Sequence, residues 1–236
     1  MTESASSESV EMYLKTVAEL GGEHGPVPIG RVAERMGVSP VSANEMMKRL
    51  GEQRLIQHQM YKGVSLTDDG RRLANSVIRR QRLWECFLVD HLKLDWARVH
   101  DLACDLEHAT ATEVTEALAQ YLGNPSRCPH GNPIPDRDGE VGQENDLTLS
   151  RLKVGQSGRI RAIVPESSEL LAYLAERGLI PGQSLTVLEA APLKGPLTLR
   201  VGDSQEEPQV ALGLALAELV QIDRVEGKKL LKEIKK

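Results

Sequence analysis

Apolar positions in the first seventy residues recur with two different periods. Val10, Tyr13, Leu14, Val17 and Leu20 fall on one face of a helix over residues 8–24, with Ser9 as its N-cap. Ile29, Val32, Ala33 and Met36 repeat that spacing in a short helix, 29–37, which Gly37 ends. Ser39 caps a third helix with Pro40 in its first turn, running to Gln53. Leu55-Ile56 and Val64-Ser65-Leu66-Thr67, on either side of a polar turn at Tyr61-Lys62-Gly63, then pair as a hairpin. Three helices and a hairpin, with the connection Gly37-Val38-Ser39-Pro40 between the second and third helices, predict a winged helix-turn-helix.

The helical period continues beyond. Asp68 or Asp69 opens a helix striped by Leu73, Val77, Leu83, Phe87 and Leu88, followed by helices over Asp95–His108 and Thr112–Leu122. Their apolar faces exceed what so small a unit can bury, so a homodimer is the expected outlet, and it suits a helix-turn-helix that reads paired half-sites. Residues 136–146 (DRDGEVGQEND) read as a linker. Alternating runs at 158–164, 184–188, 197–201 and 219–222, with a helix over Ser168–Arg177, predict a small β-barrel. The chain is thus expected to be mainly α with small β parts: a DNA-binding domain over 1–73, a helical domain over 74–144, a β-barrel over 145–226 and a basic tail over 227–236.

Composition narrows the function. The 236 residues are 27% charged and 40% hydrophobic, an ordinary globular balance, and no apolar run approaches the roughly 20 residues of a membrane span. The first residues, MTESASSESVEMY, have no basic or apolar leader pattern, and three cysteines are a sparse, odd set; both point to the cytoplasm. Aromatics at 3% argue against a single-strand binder that stacks bases. A net charge of −5 makes the position of the cations decisive. Five arginines (Arg71, Arg72, Arg79, Arg80, Arg82) lie between Arg71 and Trp84 with no acid among them, and read as a solvated helix face.

The third helix of the winged module is expected to enter the major groove. Its first residues, Ser39, Pro40, Ser42, Asn44 and Glu45, face base edges: Asn pairs with adenine, Glu accepts from cytosine and Pro meets thymine methyls. Lys48, Arg49 and Lys62 are placed for phosphates. The densest chemistry is on the middle helix. His100, Cys104, Glu107 and His108, at i, i+4, i+7 and i+8, share one sector of about 100°. A core helix puts aliphatic side chains there. Mixed imidazole, thiol and carboxylate donors point to a first-row transition metal. One helix cannot enclose a metal, so Glu85 and either Met12 or Glu11 are candidates for the remaining ligands. Cys128-Pro129-His130 holds half of a zinc pattern and reads as a loop.

The segments Val10-Glu11-Met12-Tyr13-Leu14, Ala33-Glu34-Arg35, Leu66-Thr67-x-x-Gly70, Arg82-Leu83-x-Glu85, Val99-His100-Asp101-x-Ala103-Cys104-x-x-Glu107-His108 and Gly131-Asn132-Pro133-Ile134-Pro135 resemble the diphtheria-toxin-repressor (DtxR) family of metal-dependent transcriptional regulators. The resemblance implies a primary metal position at Met12, Cys104, Glu107 and His108, with Fe²⁺ or Mn²⁺ as cofactor. It implies an ancillary position at Glu85 and His100, where Gln81 replaces a histidine and is a poorer ligand. The barrel then resembles the SH3-like, FeoA-type domain of this family, from which Glu166 and Glu169 are the nearest acids to complete the ancillary position. The implied function is repression of metal-uptake genes by a metal-loaded dimer on palindromic operator DNA, with no membrane and no small-molecule substrate. The rival readings are a winged-helix regulator indifferent to metal and a metal hydrolase using Glu107 as base. The hydrolase lacks a phosphate-binding loop or nucleophile elbow, so a non-enzyme is expected.

Overall fold

The structure, a computed structural model, describes residues 2–142, 147–204 and 208–224, with side chains from residue 8. The chain forms two compact units: Met1–Leu94 with Asp101–Cys128 and Pro133–Gly142, and Asp95–His100 with Pro129–Asn132 and Gln143–Lys236. The basic tail at 227–236 and four residues of the expected linker, 143–146, lie outside the described residues.

In the first unit α1 spans Thr2–Glu19, not 8–24. Ser9 therefore lies inside the helix and is not its N-cap. The polar first turns carry no apolar period, so amphipathicity reveals the helix only from Val10. Its end comes early because the Gly22 N–H returns to the Val17 carbonyl at 2.8 Å, closing the last turn. α2 (Ile29–Met36) ends at Gly37, whose φ of 65° suits glycine. α3 (Pro40–Glu52) starts from Ser39, whose side chain accepts from the Ser42 N–H at 3.1 Å. β1 (Ile56–Gln59) and β2 (Gly63–Leu66) form the antiparallel wing. Val10, Leu14, Val17, Val32, Met47, Leu50 and Val64 join α1, α2, α3 and the wing in one core.

α4 (Asp68–Asp90) is capped by Thr67, which accepts from the Gly70 N–H at 3.1 Å, and Asp68 and Asp69 complement its dipole. α5 is Val99–His108 and α6 is Thr112–Tyr121. α5 begins four residues later than the period suggested. Asp95 instead closes a turn by accepting from the Ala97 N–H at 2.9 Å, and Trp96 and Ala97 pack with the second unit's core. Of the five arginines of α4, Arg72 is exposed and Arg71 partly so, but the other three are not a solvated face. Arg79 pairs with Glu116 and donates to the Pro135 carbonyl, Arg80 pairs with Glu11 at 2.5 Å, and Arg82 donates to the Pro133 carbonyl. The Arg79 and Arg80 side chains are 12% and 13% exposed, so these cations clamp α1, α6 and the 133–135 segment onto α4.

The second unit is a five-stranded antiparallel sheet of β3 (Ser157–Ile163), β4 (Ser184–Ala190), β5 (Leu197–Val201), β6 (Gln209–Leu212) and β7 (Val220–Arg224), in the order β6-β5-β4-β3-β7. Bulges in β3 and β4 bend it around Ile160, Leu171, Leu174, Leu185, Leu199 and Ile222, with α7 (Ser168–Ala175) contributing Leu171 and Leu174. β6 and a short α8 (Leu214–Ala217) escaped the pattern reading because β6 is an edge strand with one buried residue, too thin an alternation to register.

Candidate metal centres and DNA-reading surface

In the first unit α5 brings Cys104, Glu107 and His108 together, one ligand atom from each lying within 4.8 Å of the others. The i, i+3, i+4 spacing does this on one helix face. α1 lies against that face. Lys15 Nζ is 3.7 Å from Cys104 Sγ, Glu8 is 3.8 Å from His108, and Glu11 holds Arg80, which reaches Glu107 at 3.4 Å. Met12 is half-buried and shares a side of α1 with Glu8, Glu11 and Lys15.

The electrostatics suit a cation. Glu107 is fully buried, and both its carboxylate oxygens, like His108 Nδ1, have no hydrogen-bond partner among the described residues. His108 Nδ1 is 3.1 Å from Glu107 but out of hydrogen-bond alignment. Burial pushes the Glu107 carboxyl up, against the pull of His108, Lys15 and Arg80. Burial also raises the Cys104 thiol, which Lys15 partly offsets. Orphaned buried acceptors beside a thiol and an imidazole are the donor set a divalent first-row metal satisfies, so the residues fit the metal that the sequence implied.

The second unit holds a separate group. His100 Nδ1 lies 3.0 Å and His130 Nδ1 lies 3.3 Å from the same oxygen, Oε2, of Glu166. His130 is fully buried and Glu166 is 8% exposed. His130 Nε2 is 2.9 Å from the Trp96 carbonyl oxygen, which can only accept. The Nε2 atom therefore carries a proton, and in the neutral ring Nδ1 is left with a lone pair. Gly131, at φ 86°, is pressed on β3: a Cβ there would stand 1.8 Å from the Arg161 carbonyl oxygen. This close approach holds the 129–132 loop on the strand.

Glu85 is fully buried on α4 and accepts from Gln81 Nε2 at 3.4 Å. Glu169 is exposed in the first turn of α7 and outside the cluster. Glu11 is the partner of Arg80. Cys128 is buried among Leu83, Cys86, Leu118 and Ile134.

On the winged module, Ser39, Pro40, Ser42, Asn44, Glu45, Lys48 and Arg49 are all exposed along α3, while Ala43, Met47 and Leu50 are buried beneath. Lys62 is exposed at the wing, next to Met60 and a fully exposed Tyr61.

Three family models match in order: "Iron dependent repressor, N-terminal DNA binding domain" over residues 6–64, "Iron dependent repressor, metal binding and dimerisation domain" over 67–136, and "FeoA domain" over 147–224. The iron-dependent repressor IdeR of Mycobacterium tuberculosis is 32% identical over 231 residues, covering 92% of this chain and 98% of its own. The diphtheria toxin repressor of Corynebacterium efficiens is 31% identical over 233 residues, covering 93% and 97%. The chain belongs to the diphtheria-toxin-repressor family. Solved structures agree. A manganese-dependent transcriptional repressor in complex with manganese matches at TM-score 0.83 and 34% identity, covering 92% of this chain and 100% of its own. ScaR with bound Cd²⁺ matches at 0.81 and 30%, covering 92% and 99%.

In this DtxR-family chain two groups, His130 and Lys15, are not legible from local spacing alone. His130 was set aside as a loop residue because its partners are 30 residues before and 36 after it, too far apart for a spacing motif. Lys15, a residue type that usually lies at the surface, is only 4% exposed. Its position three residues after Met12 and four after Glu11 was the available signal.

Proposed function

We propose that this DtxR-family protein is a metal-dependent DNA-binding repressor that binds palindromic operators as a dimer when loaded with Fe²⁺ or Mn²⁺, silencing metal-uptake genes. The observation that carries this reading is the buried Glu107 carboxylate without hydrogen bonds, set with Cys104 and His108 against α1 of the reading module. Met12, Cys104, Glu107 and His108 are the proposed primary ligands. His100, His130 and Glu166 are proposed to hold a second ion. A bound divalent cation supplies the positive charge and directed bonds that these donors lack.

The chain's own residues do the rest. Met12 and Lys15 lie on the helix that carries the winged module's core residues Leu14 and Val17, so drawing α1 towards α5 positions α3. Ser39, Ser42, Asn44 and Glu45 then meet base edges, and Lys48, Arg49 and Lys62 meet phosphates. Leu102 and Leu106 on α5 and Val114 on α6 are 44%, 37% and 47% exposed, and we place them in the dimer face. The bounds 1–73, 74–144 and 145–226 are our functional division of reading, sensing and FeoA-type parts, and operator binding puts the protein in the cytoplasm. The coupling between metal and DNA is expected at about 1–3 kcal/mol, roughly 5–150-fold in DNA affinity.

The test is an anaerobic gel-shift titration on the protein's own promoter region with Fe²⁺, Mn²⁺ and Zn²⁺, comparing the native chain with a Cys104→Ala/His108→Ala variant. Metal-stimulated binding lost in the variant supports the reading. Equal binding with and without metal supports a regulator indifferent to metal.

A further inference from the structure

The geometry points to Asn132 as a positioning residue that aims Glu166 at the second metal position, an inference that rests on the reading of His100, His130 and Glu166 as ligands. Asn132 is 4% exposed and has one amide nitrogen with two hydrogens to place. One goes to the Ile163 carbonyl at 3.1 Å, which anchors the side chain to β3. The other goes to Glu166 Oε1 in a short contact. The two carboxylate oxygens are thereby divided: Oε1 faces the amide, and Oε2 faces Nδ1 of both histidines.

A free glutamate has three side-chain torsions and samples many carboxylate orientations. With Oε1 held, rotation that would swing Oε2 away from the imidazoles breaks a buried hydrogen bond. Glu166 is thus pre-aimed as a ligand through one oxygen. The Trp96 carbonyl does the corresponding work for His130 by fixing which ring nitrogen carries the proton. Both anchors come from segments locked together. The His130 carbonyl accepts from the Ile163 N–H at 3.2 Å, and Gly131 lets the loop touch Arg161. Donors held this way have less orientational freedom to lose when an ion arrives, and outer partners of this kind are typically worth about 10–100-fold in metal affinity.

The experiment uses the full chain with the primary position disabled by His108→Ala, titrated with Mn²⁺ and read by loss of the free-ion electron paramagnetic resonance signal. Asn132→Ala is expected to weaken the remaining Mn²⁺ site about 10–100-fold, with the melting temperature in chelator changed far less than the affinity. Asn132→Leu keeps a similar size but has no hydrogens to donate, and the same loss is expected. Either variant binding Mn²⁺ as tightly as its parent overturns the role given to Asn132. His130→Ala, in the same background, tests the reading beneath: if it retains the site, the ligand set itself is wrong. If it abolishes the site while Asn132→Ala does not, only the positioning role fails. Equal losses of melting temperature and affinity in both Asn132 variants would mean that Asn132 merely supports the loop, and would also overturn the proposal.

Discussion

Replacing Glu107 with Gln is expected to stabilise the metal-free protein while removing its response to metal. Glu107 is fully buried and has no hydrogen bond to either oxygen, although Arg80 at 3.4 Å and His108 at 3.1 Å lie within ion-pair range. Leaving a buried polar group unsatisfied costs about 1–3 kcal/mol, more when it is charged. Gln removes the charge but keeps an amide to satisfy and gives up the attraction of His108, Lys15 and Arg80. The net gain is therefore put at the low end, about 1 kcal/mol, or about 2–4 °C for a chain of this size. In the native protein an ion at 100 times its dissociation constant adds about 2.7 kcal/mol, which the variant forgoes. The assay is a calorimetric melt in chelator and in excess Mn²⁺, with His130→Ala in both proteins to silence the second position. The pH dependence follows from the raised carboxyl. Because the folded state holds the Glu107 proton more tightly than the unfolded chain, stability from this group falls as pH rises from the ordinary carboxylate value through the raised one. The gain in Gln is thus present at neutral pH and vanishes in acid. A variant that melts lower than its parent in chelator at neutral pH, or that keeps the full metal-induced rise, would refute the argument.

Cys104→Ala combined with His108→Ala is expected to remove the roughly 5–150-fold stimulation of operator binding by metal, measured by gel shift. Asn44→Ala should cost about 1–3 kcal/mol of DNA affinity and relax preference at one base position, whereas Lys48→Ala should weaken all sequences alike and reduce the salt slope by about 1, both read by fluorescence anisotropy across salt. Leu106→Glu places a charge on the exposed apolar face of α5, and sedimentation should show a shift towards monomer with weaker operator binding. Gly131→Ala would set a methyl 1.8 Å from the Arg161 carbonyl oxygen, so the barrel unit should melt at lower temperature and its second metal position should weaken.

What local sequence determined is what depends on neighbours a few residues apart. The apolar period of α2, α3 and α4, the Ser39 cap and the Gly37 stop were all legible, because each is decided within one or two turns. Cys104, Glu107 and His108 were legible for the same reason, since one turn of α5 gathers them. The resemblance supplied Met12. What tertiary structure decided is every partnership across the chain. Arg79, Arg80 and Arg82 of α4 read as a wet face and are instead internal clamps, because their acids and carbonyls sit on other elements. Lys15 is buried, with its ammonium 3.7 Å from the Cys104 sulfur of α5. His130 and Asn132 acquire their roles only where a loop is pressed against β3, a contact that no spacing along the chain encodes. Periodicity reports which side of an element faces inward, but only folding brings the atoms that wait there within reach.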